Sequence, residues 1–297
     1  MLSVCIPVYR YDVRPLVTEL LRQTGELKDT VEILVYDDAS PDDGDWGKTE
    51  MRRIPEIQYV ELEQNLGRAG IRNLMARRAK HDFLVMMDAD GEPNSEFLQC
   101  WLGLLRKTRP VTSTELPLLV IVGGRHYARE RPSDPALSLH WWYGRQRESS
   151  TRRKRKKAGW LGFHSNNFLV TRSVLLDHPF PETHAGYGHE DTLWGQQLIG
   201  SEIKLIHADN PVVHLGLETN EVFLRKQKQA IANLRVLKNS YPHLRTRLTD
   251  LAGRFPLLAE FTGLLPESLL TDYLTKREEP FLYTLDMLKL KWWNEER

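Results

Sequence analysis

The chain has 297 residues, 41% hydrophobic and 27% charged, enough apolar material for a sizeable core in one large α/β domain or two smaller ones. Its formal net charge of +1 argues against a general affinity for nucleic acid or for acidic partners. No apolar run approaches the roughly 20 residues that span a bilayer, and no basic-then-apolar leader precedes Leu2, so neither a membrane span nor a secretory signal is expected.

Leu2–Val8 is an apolar, β-branched run that reads as a strand. Residues 13–23 set Val13, Leu16, Val17, Leu20 and Leu21 on one helical face. A second strand over 31–36 stops at the turn-forming stretch from Asp37 to Gly44. Strands over 57–62 and 83–87 follow, each succeeded by a helix, at 68–80 and 95–107. Cys5 falls in a strand and Cys100 in a helix; without metal-ligand spacing both read as small core residues, which suits a reducing, cytoplasmic setting. The second half predicts strands at 118–123, 166–171, 203–206 and 211–214, a helix at 189–199 and a long amphipathic helix over 218–239. Between them, residues 125–159 are polar and read as a long loop carrying six consecutive cations from Arg152 to Lys157.

Near-continuous apolar strands alternating with helices indicate a mainly parallel sheet covered on both faces. In such sheets ligands bind beyond the carboxyl ends of the strands. The residues standing there are Tyr9-Arg10, Asp37-Asp38, Asn65-Leu66-Gly67 and Asp88-Ala89-Asp90. Asp88 and Asp90 can face one crevice, and carboxylate oxygens suit Mg²⁺ or Mn²⁺ bridging to phosphates; the plain alternative is an acidic turn. Asp37 or Asp38 can accept a hydrogen bond from a base or a ribose, or simply build the turn. Residues 65–73 open a helix with Gly67, Gly70, Arg68 and Arg72, a setting that favours an anion.

The order of these motifs resembles glycosyltransferase family 2: Val4-Cys5-Ile6-Pro7-Val8-Tyr9, Val35-Tyr36-Asp37-Asp38-Ala39-Ser40, Asn65-Leu66-Gly67 with Ile71-Arg72-Asn73, and Met87-Asp88-Ala89-Asp90. The resemblance implies a GT-A nucleotide-sugar-binding domain, placed at 1–217, with a helical extension over 218–297. It also implies an inverting transferase using a UDP-sugar, with Pro7, Tyr9, Asp37, Asp38, Asn65, Gly67, Arg72, Asp88 and Ala89 around the donor. Further on, Gly186-Tyr187-Gly188-His189-Glu190-Asp191 is similar to the family's loop leading to an acidic pair. By that likeness Asp191 is the general base, and Glu190 binds acceptor hydroxyls or exchanges roles with it. A bland reading makes the pair an acidic helix start. His214 would join Asp88 and Asp90 on Mn²⁺ or Mg²⁺, by resemblance to members that use a late histidine.

Family members often carry an Asn near 166–167 beside the donor sugar. Trp160 or Trp194 can stack on a sugar, with core packing the default; His164 and His184 carry no assigned role. The basic run would close over the diphosphate, attract an anionic acceptor, or lie on an acidic membrane; a solvated loop is the plain alternative. It lacks the aromatic interleaving of a nucleic-acid site. Residues 285–293 combine Leu285, Leu288 and Trp292 with Lys289 and Lys291, and an intramolecular helix or dimer contact ranks above membrane contact there. The expected partners are the donor and a carbohydrate or lipid-linked glycan acceptor, in the cytoplasm or at the inner membrane face; the sequence leaves oligomeric state open. Two other readings are a nucleotidyltransferase, disfavoured because strand one ends without a Gly-rich loop, and a non-catalytic nucleotide- or carbohydrate-binding protein.

Overall fold

A computed structural model describes residues 1–27, 30–108, 116–182, 187–255 and 261–295. Ten strands are described: β1 (Leu2–Val8), β2 (Val31–Asp37), β3 (Ile57–Glu61), β4 (Phe83–Met87), β5 (Gly91–Glu92), β6 (Leu119–Val122), β7 (Arg125–His126), β8 (Asn167–Thr171), β9 (Lys204–His207) and β10 (Val212–His214). Seven form a sheet in the order β3-β2-β1-β4-β8-β6-β9. All run parallel except β8, which lies antiparallel between β4 and β6. A small second sheet, β5-β10-β7, forms beyond that sheet's carboxyl edge.

The period of two in β1 and β4 explains the layering. Leu2, Val4, Ile6, Val8, Phe83, Val85 and Met87 enter one core, and Cys5, Leu84 and Met86 the other. The first core is covered by helices α1 (Arg14–Thr24) and α4 (Phe97–Thr108); α2 (Lys48–Met51) is a single turn at its margin. The second is covered by α3 (Gly67–Arg78). Both faces being dry, the strands need no polar alternation.

The stretch 125–159, expected to be a loop, is instead folded. It holds β7, α5 (Ser138–Tyr143), a π-helical turn over Gly144–Glu148, and α6 (Arg152–Ala158). Its polar composition hid three anchors. Leu139 and Trp141 are buried, and so is Arg155, whose guanidinium donates to Gly123 O at 3.0 Å and to Ala208 O. Thr151 caps α6 by accepting from Lys154 N.

Helices α7 (Arg172–Asp177) and α8 (Glu190–Gln197) complete the second layer, and Trp194 of α8 is its aromatic centre. Its ring stacks on Phe180 at 4.6 Å, meets Phe163 at 4.9 Å, and its Nε1 donates to His178 O at 2.7 Å. Trp194 therefore packs the core rather than offering a sugar platform, and Trp160 lies edge-on against it. Trp194→Ala is expected to destabilise the fold by about 3–5 kcal/mol. Urea unfolding checks this, and a change under about 1 kcal/mol would contradict the packing account.

The helical tail comprises α9 (Asn220–Ser240), α10 (Arg247–Arg254), α11 (Glu267–Thr275) and α12 (Tyr283–Glu295). Leu285, Leu288 and Trp292 of α12 are buried with Phe223, Leu224 and Ile231 of α9 and Leu139 of α5. The apolar face of residues 285–293 is thus covered by the chain itself, and Lys291 donates to Gly263 O at 2.9 Å. This third core draws on α5, so the tail is welded to the first 217 residues. Among the described residues no helix is long and apolar enough to cross a membrane.

Candidate active site

A cavity of about 710 Å³ opens at the carboxyl edge of the large sheet. Pro7, Tyr9, Asp38, Asn65, Gly67, Arg72, Asp88, Ala89, Asp90, Glu190, Asp191 and His214, all marked by the sequence, line it. Asp37 does not. It is the last residue of β2 and buried; its Oδ1 accepts from Ser40 N at 2.8 Å and its Oδ2 lies 3.7 Å from Lys48 Nζ. Asp37 builds the turn and stands behind Asp38 rather than in the cavity wall.

Asp38, one residue on, faces the cavity and accepts from Leu66 N at 2.7 Å and Gly67 N at 2.9 Å. The start of α3 was expected to attract a ligand anion; the carboxylate of Asp38 already takes these two N–H groups. Burial pushes the Asp38 carboxyl up, against those two bonds. Asn65 Nδ2 donates to Asp38 O and fixes the same corner.

The acidic tripeptide divides its labour. Asp88 Oδ1 accepts from Arg72, a buried guanidinium 2.6 Å away that also donates to Arg68 O at 3.0 Å. Asp90 instead meets His214, with Oδ1 and Nδ1 3.2 Å apart. The small sheet arranges this: β10 pairs β5 with His214 opposite Gly91, the residue after Asp90, and Leu215 N donates to Asp90 O at 2.8 Å. A Cβ on Gly216 would fall 2.2 Å from Asp90 Oδ2, so a larger residue there would displace that carboxylate. Burial opposes ionisation of Asp90, but His214, with Arg125 and Arg68, holds the carboxyl below its usual range. No group of three or more His, Cys, Asp or Glu side chains is gathered as a metal cluster among the described residues. Of Asp88, Asp90 and His214, the last two stand side by side while Asp88 is paired with Arg72. A carboxylate and an imidazole side by side still suit a divalent cation whose other positions are filled by phosphate oxygens.

Across the cavity, α8 begins with Glu190 and Asp191, after Gly188 at φ +97° and the left-handed His189 at φ +69°. Asn233 of α9 pins this turn by donating to Gly188 O. Strain at a non-glycine residue persists only when neighbours fix it. Asp191 Oδ2 lies 3.6 Å from His164 Nδ1, and Oδ1 accepts from Thr192 N at 2.6 Å. Burial opposes its ionisation, yet His164, His189 and the Thr192 N–H keep the carboxyl well below the ordinary range. Glu190 goes the other way: burial and the Asp191 charge push it up, with Arg68 at 3.8 Å countering in part. Two adjacent carboxyls with oppositely displaced titration are a common arrangement in acid–base chemistry.

Several wall residues carried no sequence signal. Arg125 pairs with Glu148 at 2.7 Å, and the Tyr127 hydroxyl donates to the same carboxylate. Burial opposes the charge on Glu148, but Arg125 and that hydroxyl hold its carboxyl low. His140 accepts from Glu218 N at 2.9 Å, and burial lowers it to about 4, so it is neutral. Phe223, Lys226 and Gln227 of α9 close this side. Each contact spans a long stretch of chain. His184 and Gly186 lie outside the described residues.

A family model described as glycosyl transferase family 2 matches residues 3–178, more than half of the chain. The chain belongs to that family. The sheet of this glycosyltransferase has the GT-A architecture. The mannosyltransferase PcManGT from Pyrobaculum calidifontis, solved in complex with GDP-Man and Mn²⁺, matches with a TM-score of 0.55 at 17% identity, over 99% of this chain and 87% of that one. S. aureus TarS 1-349 matches with a TM-score of 0.47 at 17% identity, over 98% and 90%, and TarS 1-349 has also been solved with UDP and with UDP-GlcNAc. No curated protein sequence matches the chain.

Proposed function

We propose that this family 2 glycosyltransferase is an inverting, metal-dependent enzyme that moves a sugar from a nucleoside diphosphate, UDP foremost, to an acceptor hydroxyl in glycan or glycoconjugate synthesis. One observation carries the reading: two separate acidic centres, Asp90 with His214 and Glu190 with Asp191, line one cavity at the sheet's carboxyl edge.

In this reading Tyr9 and Asp38 hold the nucleoside, and Arg72 orients Asp88 beside the ribose and diphosphate. Asp90 and His214 are the residues that would hold Mn²⁺ or Mg²⁺, whose chemistry there is to neutralise charge on the departing diphosphate. Asp191 takes the proton of the acceptor hydroxyl as its oxygen attacks the anomeric carbon. The bond from that carbon to the diphosphate oxygen breaks on the opposite face, the electron pair leaves with the diphosphate, and the configuration inverts. Glu190, held near Arg68, orients the acceptor.

A thermal-shift panel of UDP- and GDP-sugars, with and without Mn²⁺, tests the donor half. A ligand at about 100 times its Kd stabilises the folded state by about 2.7 kcal/mol. The expected result is a rise in Tm with one nucleotide sugar that grows when Mn²⁺ is added. A flat panel would sink the reading.

A further inference from the structure

The helix α6 presents an unusual concentration of charge. Of its six cations, two are structural: Arg155 is buried against Gly123 O and Ala208 O, and Arg152 Nε donates to His207 O at 2.7 Å. Gly124, at φ +94°, leaves the space that the Arg155 guanidinium fills. These bonds tie α6 across the ends of β6 and β9. Both strands run with β1 and β4, so α6 lies at the same carboxyl edge of the sheet as the cavity, with none of its own residues in the cavity wall. Glu148, four residues before it, and His164, beyond its far end, both line that cavity.

Arg153, Lys154, Lys156 and Lys157 are exposed, and no ion pair of theirs is found among the described residues. Some exposed arginines find carboxylates, as Arg131 does with Glu278 and Glu279 and Arg245 with Asp250, while others such as Arg53 and Arg129 do not among the described residues; what sets α6 apart is four such cations on one short helix. Arg153 and Lys157 are spaced i,i+4, and Lys154 and Lys157 i,i+3, so they repel along the helix. Arg152, Arg153 and Lys154 also stand in the first turn, where the helix dipole disfavours cations. The chain as a whole is nearly neutral at +1, so this is a local accumulation held in place at an energetic cost. Such conflicts between local preference and structure concentrate at functional sites.

An anionic ligand would relieve the repulsion. α6 has no apolar face to insert into a bilayer, its inward side being filled by Arg155. It has no aromatic platform for bases either. We propose that Arg153, Lys154, Lys156 and Lys157 form a docking site for a polyanionic glycan, bearing phosphate or carboxylate, which they hold beside the Glu190–Asp191 side of the cavity. The assignment as acceptor rests on the transferase reading above; the anion site itself does not.

Binding of labelled oligogalacturonate, inorganic polyphosphate and neutral dextran is measured over a range of salt. The two anionic probes are expected to bind and dextran not. Combining Arg153→Gln, Lys154→Gln, Lys156→Gln and Lys157→Gln should weaken anion binding at least about tenfold and flatten the salt slope by about three to four. Tm and the nucleotide-sugar shift with Mn²⁺ should stay unchanged. A control neutralising Arg245, Arg247, Arg254 and Lys276 on the tail should bind as the parent does. Equal loss in both variants, or no loss in the first, overturns the site. Tighter binding to phosphatidylglycerol-containing vesicles than to either soluble anion overturns the glycan assignment in favour of a membrane surface. Absence of a nucleotide-sugar shift in the parent chain sinks the transferase reading while leaving the anion data to stand.

Discussion

Asp191→Asn is expected to lower the rate of transfer by about 10²–10⁴-fold, the usual worth of a general base, while the thermal shift produced by the donor survives. Amide for carboxylate preserves shape and removes the proton acceptor. The environment of Asp191 makes the expectation specific. Its carboxyl is held below the ordinary range despite burial, so it is ionised at neutral pH and ready to receive the proton. The linkage follows the usual sign for a depressed carboxyl. Its ionisation stabilises the fold above the unfolded-state pKa of about 3.9 and is lost as pH falls through the lower folded value. Glu190, pushed upward, titrates nearer the working range. Glu190→Gln should therefore cost less than Asp191→Asn and should move the acid limb of kcat/KM to lower pH. A larger loss in Glu190→Gln, with near-normal transfer by Asp191→Asn, would exchange the two roles.

Asp90→Asn is expected to remove the Mn²⁺-dependent part of donor binding and to slow turnover about 10²–10³-fold, consistent with the several kcal/mol that charge neutralisation at a leaving group supplies. The comparison that gives this force is Asp88→Asn. Asp88 partners a buried Arg72, and removing one member of such a pair leaves a costly unpaired charge. Asp88→Asn should thus lower Tm without any ligand present, and Asp90→Asn, which gives up the His214 partner, should lower it as well, so the ligand-free Tm alone does not tell the two apart. Titration of Mn²⁺ against the donor-bound enzyme separates the two. Retention of full metal dependence by Asp90→Asn would exclude the Asp90–His214 pair as the metal site.

Much of this was legible in the sequence because the sheet is covered on both faces. A strand such as Leu2–Val8 must then be apolar almost throughout, and the polar residue that breaks it marks the ligand edge. Asp88 and Asp90 stood out for that reason, whereas Glu190 and Asp191, at the start of α8, stood out only by their likeness to the family's acidic loop. The choice between Asp37 and Asp38 was not legible, because neighbouring residues at a strand end face opposite ways and one residue decides which meets the cavity. At the start of α3 the sequence shows N–H groups, not that Asp38 comes back to take those of Leu66 and Gly67. Arg125, Tyr127, His140 and Glu148 were invisible because their contacts depend on how α5 and the π-helical turn fold back, and that stretch is polar enough to pass for a loop.

Phe223 has a double attachment. It stacks on His140 at 4.9 Å in the cavity wall, and it belongs to the third core with α12. The tail is therefore the outer jaw of the site, and the same side chains bear on folding and on what can enter. A chimera that exchanges α9 between relatives would change the shape of the mouth while leaving the edge at β1, β2 and β4 untouched. Selectivity and thermal tolerance should then drift together, and a gain in one would have to be recovered by repacking around the other.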